Sequence, residues 1–167
     1  MSSVQNTFVK DLANNKIVVT HYCDADLETV WEMWTQPELL ELWWAPKPWK
    51  AETINMNFKV GGHWLYEMVG PNGEIAYSII RYASIIPRRM LEAIHALSNA
   101  EGGVDTVMPQ TDWRIAFTET GDGVDVTVSI VGSDANMQKL VEMRFEQGFM
   151  MALENLDEEL SITKAKR

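Results

Sequence analysis

The run SDANMQKLVEMRFEQGFMMALENLDEEL, Ser133 to Leu160, carries the strongest helical pattern in the chain, with no proline and a single internal glycine, Gly148. Val141, Phe145, Phe149, Ala152, Leu156 and Leu160 recur at helical spacing, and Leu140, Met143, Met151 and Leu153 widen that stripe. Ser133 or Asp134 supplies a short side-chain oxygen that can accept from the free N–H groups opening a helix. At ~1.5 Å per residue one continuous helix here would be roughly 40 Å long. A small flat sheet cannot cover that length, so the spacing predicts a curved sheet wrapped around one long C-terminal helix.

The segments before it supply such a sheet. VDVTVSIV, Val124 to Val131, puts Val124, Val126, Val128 and Ile130 on one face, and Gly121-Asp122-Gly123 turns it back on TDWRIAFTET, where Trp113, Ile115 and Phe117 share a face. Working further back, Ser98 to Gln110 reads as a long loop with Gly102-Gly103 and Pro109, and such loops in small domains are often functional. Met90 to Leu97 and Glu74 to Ile86 read as strands joined at Pro87-Arg88-Arg89. Gly70-Pro71-Asn72-Gly73 is a hairpin turn, because Asn-Gly adopts positive φ readily, and it connects back to HWLYEMV and, past Gly61-Gly62, to a strand over Ala51 to Phe58.

Towards the start, Pro46 and Pro48 leave Trp43, Trp44 and Trp49 beside a loop. Two short helices precede it, separated at Thr35-Gln36-Pro37 because the residue before proline avoids the helical region. KIVVTHYC, Lys16 to Cys23, is the first strand, and Asp26 caps the helix after it. The predicted class is α+β: a curved antiparallel sheet of about six to seven strands around a long C-terminal helix, with two short helices between strands one and two. Met1 to Asn15 reads as a polar tail, residues 16–160 as one domain, and residues 161–167 as a basic C-terminal tail.

Composition narrows the partners. The chain has 24 acidic against 14 basic side chains, a net charge of -10, which opposes binding to nucleic acid. No apolar run approaches the ~18 residues of a membrane span, and the start lacks the basic and apolar regions of a leader. A single Cys23 excludes an internal disulfide, and the cysteine and histidine spacing matches no structural zinc site. A cytoplasmic protein without metal or cofactor is expected.

Taken together, VWEMWTQPELLELWWAP, then VGGHWLYEMVGPNGE, then RFEQGFMMALENLDEEL resemble the activator of heat-shock protein ATPase homologue family, within the START-like or SRPBCC superfamily of helix-grip proteins. The resemblance spans Lys16 to Leu160. It departs at Phe149, where the family commonly has tryptophan after Gly148, and in the length of the loop before Gln110. The resemblance implies a cavity between sheet and long helix that holds an apolar small molecule. The chaperone activity in the family's name is not carried over to this chain.

On this reading the cavity walls are Trp64, Tyr66, Met68, Trp113, Ile115 and Phe117 from the sheet with Phe145, Phe149 and Met150 from the helix. Apolar walls favour desolvation while a few polar groups orient a ligand, and Tyr77 and His95 are the candidates for that role. The same side chains could equally fill a solid core. Arg81 is a further polar candidate, whereas alternation puts Asp112 and Arg114 on the face opposite Trp113. His21, His63 and His95 lie too far apart for a metal motif, Cys23 reads as a buried structural thiol, and no nucleophile motif is present, so no catalytic residue is assigned. Three classes stay open: a binding protein for an apolar or amphipathic molecule, an enzyme of cyclase, dehydratase or hydrolase type acting on one, and an interaction module. The last would act as a homodimer or with a chaperone through exposed tryptophans of the Trp43 to Trp49 loop.

Overall fold

The computed structural model describes residues 6–105 and 110–165. Its strands are β1 (Thr7–Asp11), β2 (Lys16–Cys23), β3 (Lys50–Asn57), β4 (His63–Val69), β5 (Ile75–Ile86), β6 (Met90–Ser98), β7 (Gln110–Glu119) and β8 (Val124–Val131). The helices are α1 (Leu27–Thr35), α2 (Pro37–Trp43), α3 (Asp134–Glu142) and α4 (Phe145–Ala165). All eight strands form one antiparallel sheet in the order β1-β2-β8-β7-β6-β5-β4-β3. Strands β3 to β8 follow one another as hairpins, and the α1–α2 pair carries the chain from β2 to the far edge, where β3 begins.

Local chemistry sets the helical pair. The Asp26 carboxylate accepts from the Thr29 backbone N–H at 2.8 Å, and Pro37 opens α2 where a missing N–H costs nothing. The Trp43 indole N–H donates to the Met33 carbonyl at 2.9 Å and locks the two helices at their turn. Bulges at Thr53/Asn55 in β3 and Tyr82/Ser84 in β5 bend the sheet, giving it a concave side. Gly61 sits at φ 84°, in the left-handed region, and a Cβ at Gly62 would collide with the Asn57 carbonyl, so this bend requires glycine at both positions.

Three expectations change. The sheet has eight strands instead of six or seven, because Thr7–Asp11, read as part of a tail, pairs with β2 from Thr7↔Thr20 to Asp11↔Lys16. Ser161 to Ala165 continue α4 rather than forming a tail, and residues 166–167 lie outside the described residues, as do 1–5. The long helix is broken between α3 and α4 at Met143 and Arg144, with Arg144 at φ 59°.

The break has a geometric cause. Leu140 on α3 and Phe149 on α4 are both buried, yet they are nine positions apart, about two and a half turns, so a straight helix would put them on opposite sides. The left-handed Arg144 breaks the helical phase, so each helix presents its own apolar residues to the interior. Val141, expected in the buried stripe, is 39 % exposed and Met143 is 50 % exposed.

Candidate functional site

Alternation along the strands decides which side chains reach the concave side. Trp64 and Tyr66 of β4, Ile80 and Tyr82 of β5, Leu91 and Ala93 of β6, and Trp113 and Ile115 of β7 join the main core. Opposite parity sends Leu65, Ile79 and Ala96 to a small separate cluster with Val104. Tyr77 shares the parity of Ile79, so the structure places it on the face away from the helices. The loop expected over Ser98 to Gln110 begins with a turn closed by the Ser98–Val104 bridge, and its residues 106–109 lie outside the described residues.

Between the concave side and the α1–α2 pair lies a void of about 20 Å³, bordered by Trp34, Trp44, Trp64, Tyr82, His95 and Trp113 among others. That is room for about one water molecule. The accessible, ligand-sized cavity expected from the resemblance is therefore closed here by side chains. Of the residues assigned from sequence, Trp64, Trp113, Ile115 and His95 border the void. Tyr66 stands beside it, stacked on Trp64 with ring centres 4.1 Å apart. Phe149 packs edge-on to Trp113 at 5.6 Å and is stacked at 5.2 Å on Phe145, which also touches Phe8 of β1. Phe117 packs against Trp31 and Trp34 at the α1 end, while Met68 and Met150 pack on the core without bordering the void.

The polar atoms at this place are few. The Trp44 indole N–H donates to the Tyr66 hydroxyl at 2.8 Å, and that hydroxyl shares a hydrogen bond with His95 Nε2 at 3.1 Å. Trp64 and Trp113 donate to the hydroxyls of Thr53 and Thr111 at 3.0 and 2.9 Å. Trp34, only 3 % exposed and bordering the void, has an indole N–H with no partner among the described residues, an unsatisfied buried donor.

Loss of hydration lowers the pKa of His95 to about 4 and pushes that of Tyr66 up to about 12, the Tyr66 rise being opposed by the hydrogen bond from Trp44. His95 is therefore a neutral imidazole and Tyr66 a neutral phenol near pH 7. Among the described residues no Asp, Glu, Lys or Arg borders the void. Arg81, Asp112 and Arg114 are exposed, and Arg81 donates to the Gly102 carbonyl at 3.4 Å.

Sequence reasoning passed over Trp34, Leu40 and Trp44 as wall residues. Trp43-Trp44 held a usable signal: adjacent helical positions point about 100° apart, so two bulky rings there must serve different surroundings. Trp43 enters the core, and Trp44, partly exposed, turns to the sheet. The other polar groups lie elsewhere. His21 of β2 is buried and meets the Asp157 carboxylate of α4 at 2.9 Å, His63 bonds Asn55 at the edge strand, and burial pushes the Cys23 thiol pKa up. Among the described residues no group of three His, Cys, Asp or Glu side chains is placed to hold a metal ion, and no helix is long and apolar enough to cross a membrane.

An open antiparallel sheet closed on its concave side by a C-terminal helix, with a helical pair inserted after the second strand, defines an α+β protein of the START-like, helix-grip class. The profile of the activator of Hsp90 ATPase homolog 1-like protein family matches residues 24–161, and the chain belongs to that family. Among solved structures, a protein from Arthrobacter aurescens is 29 % identical over 93 % of this chain and 91 % of its own, with a TM-score of 0.87. A protein from Staphylococcus epidermidis is 25 % identical over 94 % of both chains with a TM-score of 0.81. Protein Ms6760 from Mycobacterium smegmatis, 22 % identical over 93 % of this chain and 97 % of its own with a TM-score of 0.84, shares the fold. A search of curated proteins finds no match.

Proposed function

We propose that the protein binds an apolar or amphipathic small molecule on the concave side of the sheet, beneath its helices and at the void that the α1–α2 pair closes, without covalent chemistry. The observation that carries this reading is the wall itself: aromatic and aliphatic side chains border a void together with the His95 imidazole, which is hydrogen-bonded to the Tyr66 hydroxyl, and Trp34 in that wall has an indole N–H with no partner among the described residues. An apolar enclosure with a small number of convergent polar atoms is what a binding site for a largely apolar molecule requires. Because the void holds about one water, entry requires side chains to move.

Binding is favoured over catalysis because proton transfer at neutral pH needs a group that titrates near that pH within reach of substrate. His95 gives up its proton far below neutrality and Tyr66 far above it, and among the described residues no carboxylate borders the void. The interaction module drew on exposed tryptophans, but Trp43 is buried while Trp44 and Trp49 pack against the core. Of the other partners, a second copy and a chaperone have no specific observation behind them.

Native mass spectrometry of protein purified from its own host, compared with the denatured mass, tests the reading. It is paired with a titration by 2-undecanone followed through tryptophan fluorescence. A retained small molecule, or saturable quenching lost in Trp113→Ala, is the expected result. An empty protein that also saturates with neither 2-undecanone nor indole overturns it.

A further inference from the structure

Trp44 stands where a ligand would stand. Its ring lies 5.6 Å from Trp64, 6.4 Å from Tyr66, 6.0 Å from Trp113 and 6.4 Å from Phe149, so it touches both the sheet wall and α4. Its N–H makes the hydrogen bond to the Tyr66 hydroxyl. Yet it belongs to no strand of the sheet and no part of α4: it follows the last residue of α2, at the start of the loop to β3.

The backbone on either side is held independently of the ring. The Trp44 backbone N–H donates to the Leu40 carbonyl at 2.9 Å, and the buried Asn155 amide of α4 donates to the carbonyls of Ala45 and Trp43 at 3.0 and 3.5 Å. A rotation of the side chain can therefore vacate the space without opening the loop, and the partly exposed position of the ring gives it somewhere to go.

We propose that Trp44 is an internal occupant of the ligand site, and that the ligand displacing it is a neutral aromatic molecule of about indole size with an N–H or O–H donor for the Tyr66 hydroxyl. This rests on the binding reading above and names the ligand class. A charged ligand is disfavoured because, among the described residues, no Asp, Glu, Lys or Arg borders the void and the imidazole there is neutral, so its charge would be buried without a counter-ion. The flat walls that accept one indole edge-on accept another aromatic ring in the same way. A donor is required because the Tyr66 hydroxyl loses the one that Trp44 provides. Trp44 competes with the ligand, so removing its ring raises apparent affinity by the factor that its occupancy now suppresses.

The test uses ¹⁵N-labelled protein, in which each of the seven tryptophans contributes an indole N–H signal, assigned with Trp44→Phe and Trp34→Phe. Titration with indole is expected to move the Trp44 signal and speed its exchange with water while the Trp43 signal keeps its protection. Benzofuran, the same shape without the N–H, is expected to bind about tenfold more weakly, and indole-3-acetate not to bind over the same range. Trp44→Ala is expected to bind indole at least about tenfold more tightly than the parent chain. Should Trp44→Ala fail to fold, Trp44→Leu and the exchange measurement on the parent chain decide the matter.

The proposal is overturned if indole saturates while the Trp44 signal stays put, or if only the truncated variant binds, which makes Trp44 a fixed wall. Equal binding of benzofuran or of indole-3-acetate overturns the ligand class. If 2-undecanone binds and indole does not, the binding reading stands and this inference falls; if neither binds, both fall.

Discussion

The interior has two halves built from different materials. Around β2, β8 and α4 it is aliphatic, and Val126, Val128, Ile130, Leu153 and Leu156 are each exposed by no more than 1 %. Around β4 to β7 and the α1–α2 pair it is aromatic: four indoles, Trp34, Trp44, Trp64 and Trp113, border the void. Branched aliphatic side chains interdigitate into a dense solid, whereas flat rings meeting edge to face leave small gaps between them. The aliphatic half holds the fold together. The aromatic half trades some of that packing for a place where polar atoms and space coincide.

The largest expected effect lies in the aliphatic half. Leu156→Ala removes a fully buried side chain from the middle of α4 and is expected to cost about 2–5 kcal/mol in urea unfolding, and indole should raise variant and parent chain alike, leaving that difference unchanged. A loss below about 1 kcal/mol would mean that this half is less tightly packed than its burial indicates.

Second in size is a pH effect confined to the aromatic half. His95 titrates near 4 in the fold and near 6.5 when free, so between those values the unfolded chain binds more protons. Stability therefore falls as pH drops from 6.5 towards 4, by at most on the order of 3 kcal/mol, and is insensitive to this residue above that window. His95→Gln, which retains a side-chain amide near the Tyr66 hydroxyl, is expected to flatten that part of the stability profile. An unchanged slope in the variant would remove His95 from the account.

The smallest effect compares the halves directly. Ala152 of α4 and Ala93 of β6 are both buried alanines, but only Ala93 borders the void. Ala152→Val is expected to cost about 1–3 kcal/mol by overpacking, and Ala93→Val to cost less, because the void takes up one of the two methyl groups that valine adds to alanine. Equal costs would erase the distinction between the halves.

The same contrast explains what was legible beforehand. Alternation in Thr111 to Val131 and the interruption at Pro37 are local signals, readable because side-chain parity and backbone sterics act over a few residues. Strand β1 carried almost none, since an edge strand with polar and half-buried residues has no clean alternation. The break at Met143 and Arg144 was illegible because it answers a demand from the sheet: Leu140 and Phe149 must both face inward, which the helix alone does not reveal. Trp64, Trp113 and His95 could be grouped by parity along their strands, while Tyr77 has the opposite parity to Ile80 and Tyr82 and lies on the far face. Trp44 lay beyond parity altogether, since its direction depends on how the end of α2 is anchored to α4 through Asn155.

The left-handed Arg144 has a consequence for how this chain can change length. In an unbroken helix, adding one residue rotates everything beyond it by about 100° and turns its buried face to solvent. Here the turn between α3 and α4 uncouples the two rotational settings, much as a universal joint lets two shafts turn about separate axes. A residue gained or lost at that joint would be absorbed where it occurs, leaving Phe149, Leu153 and Leu156 facing inward while α3 keeps its own seat.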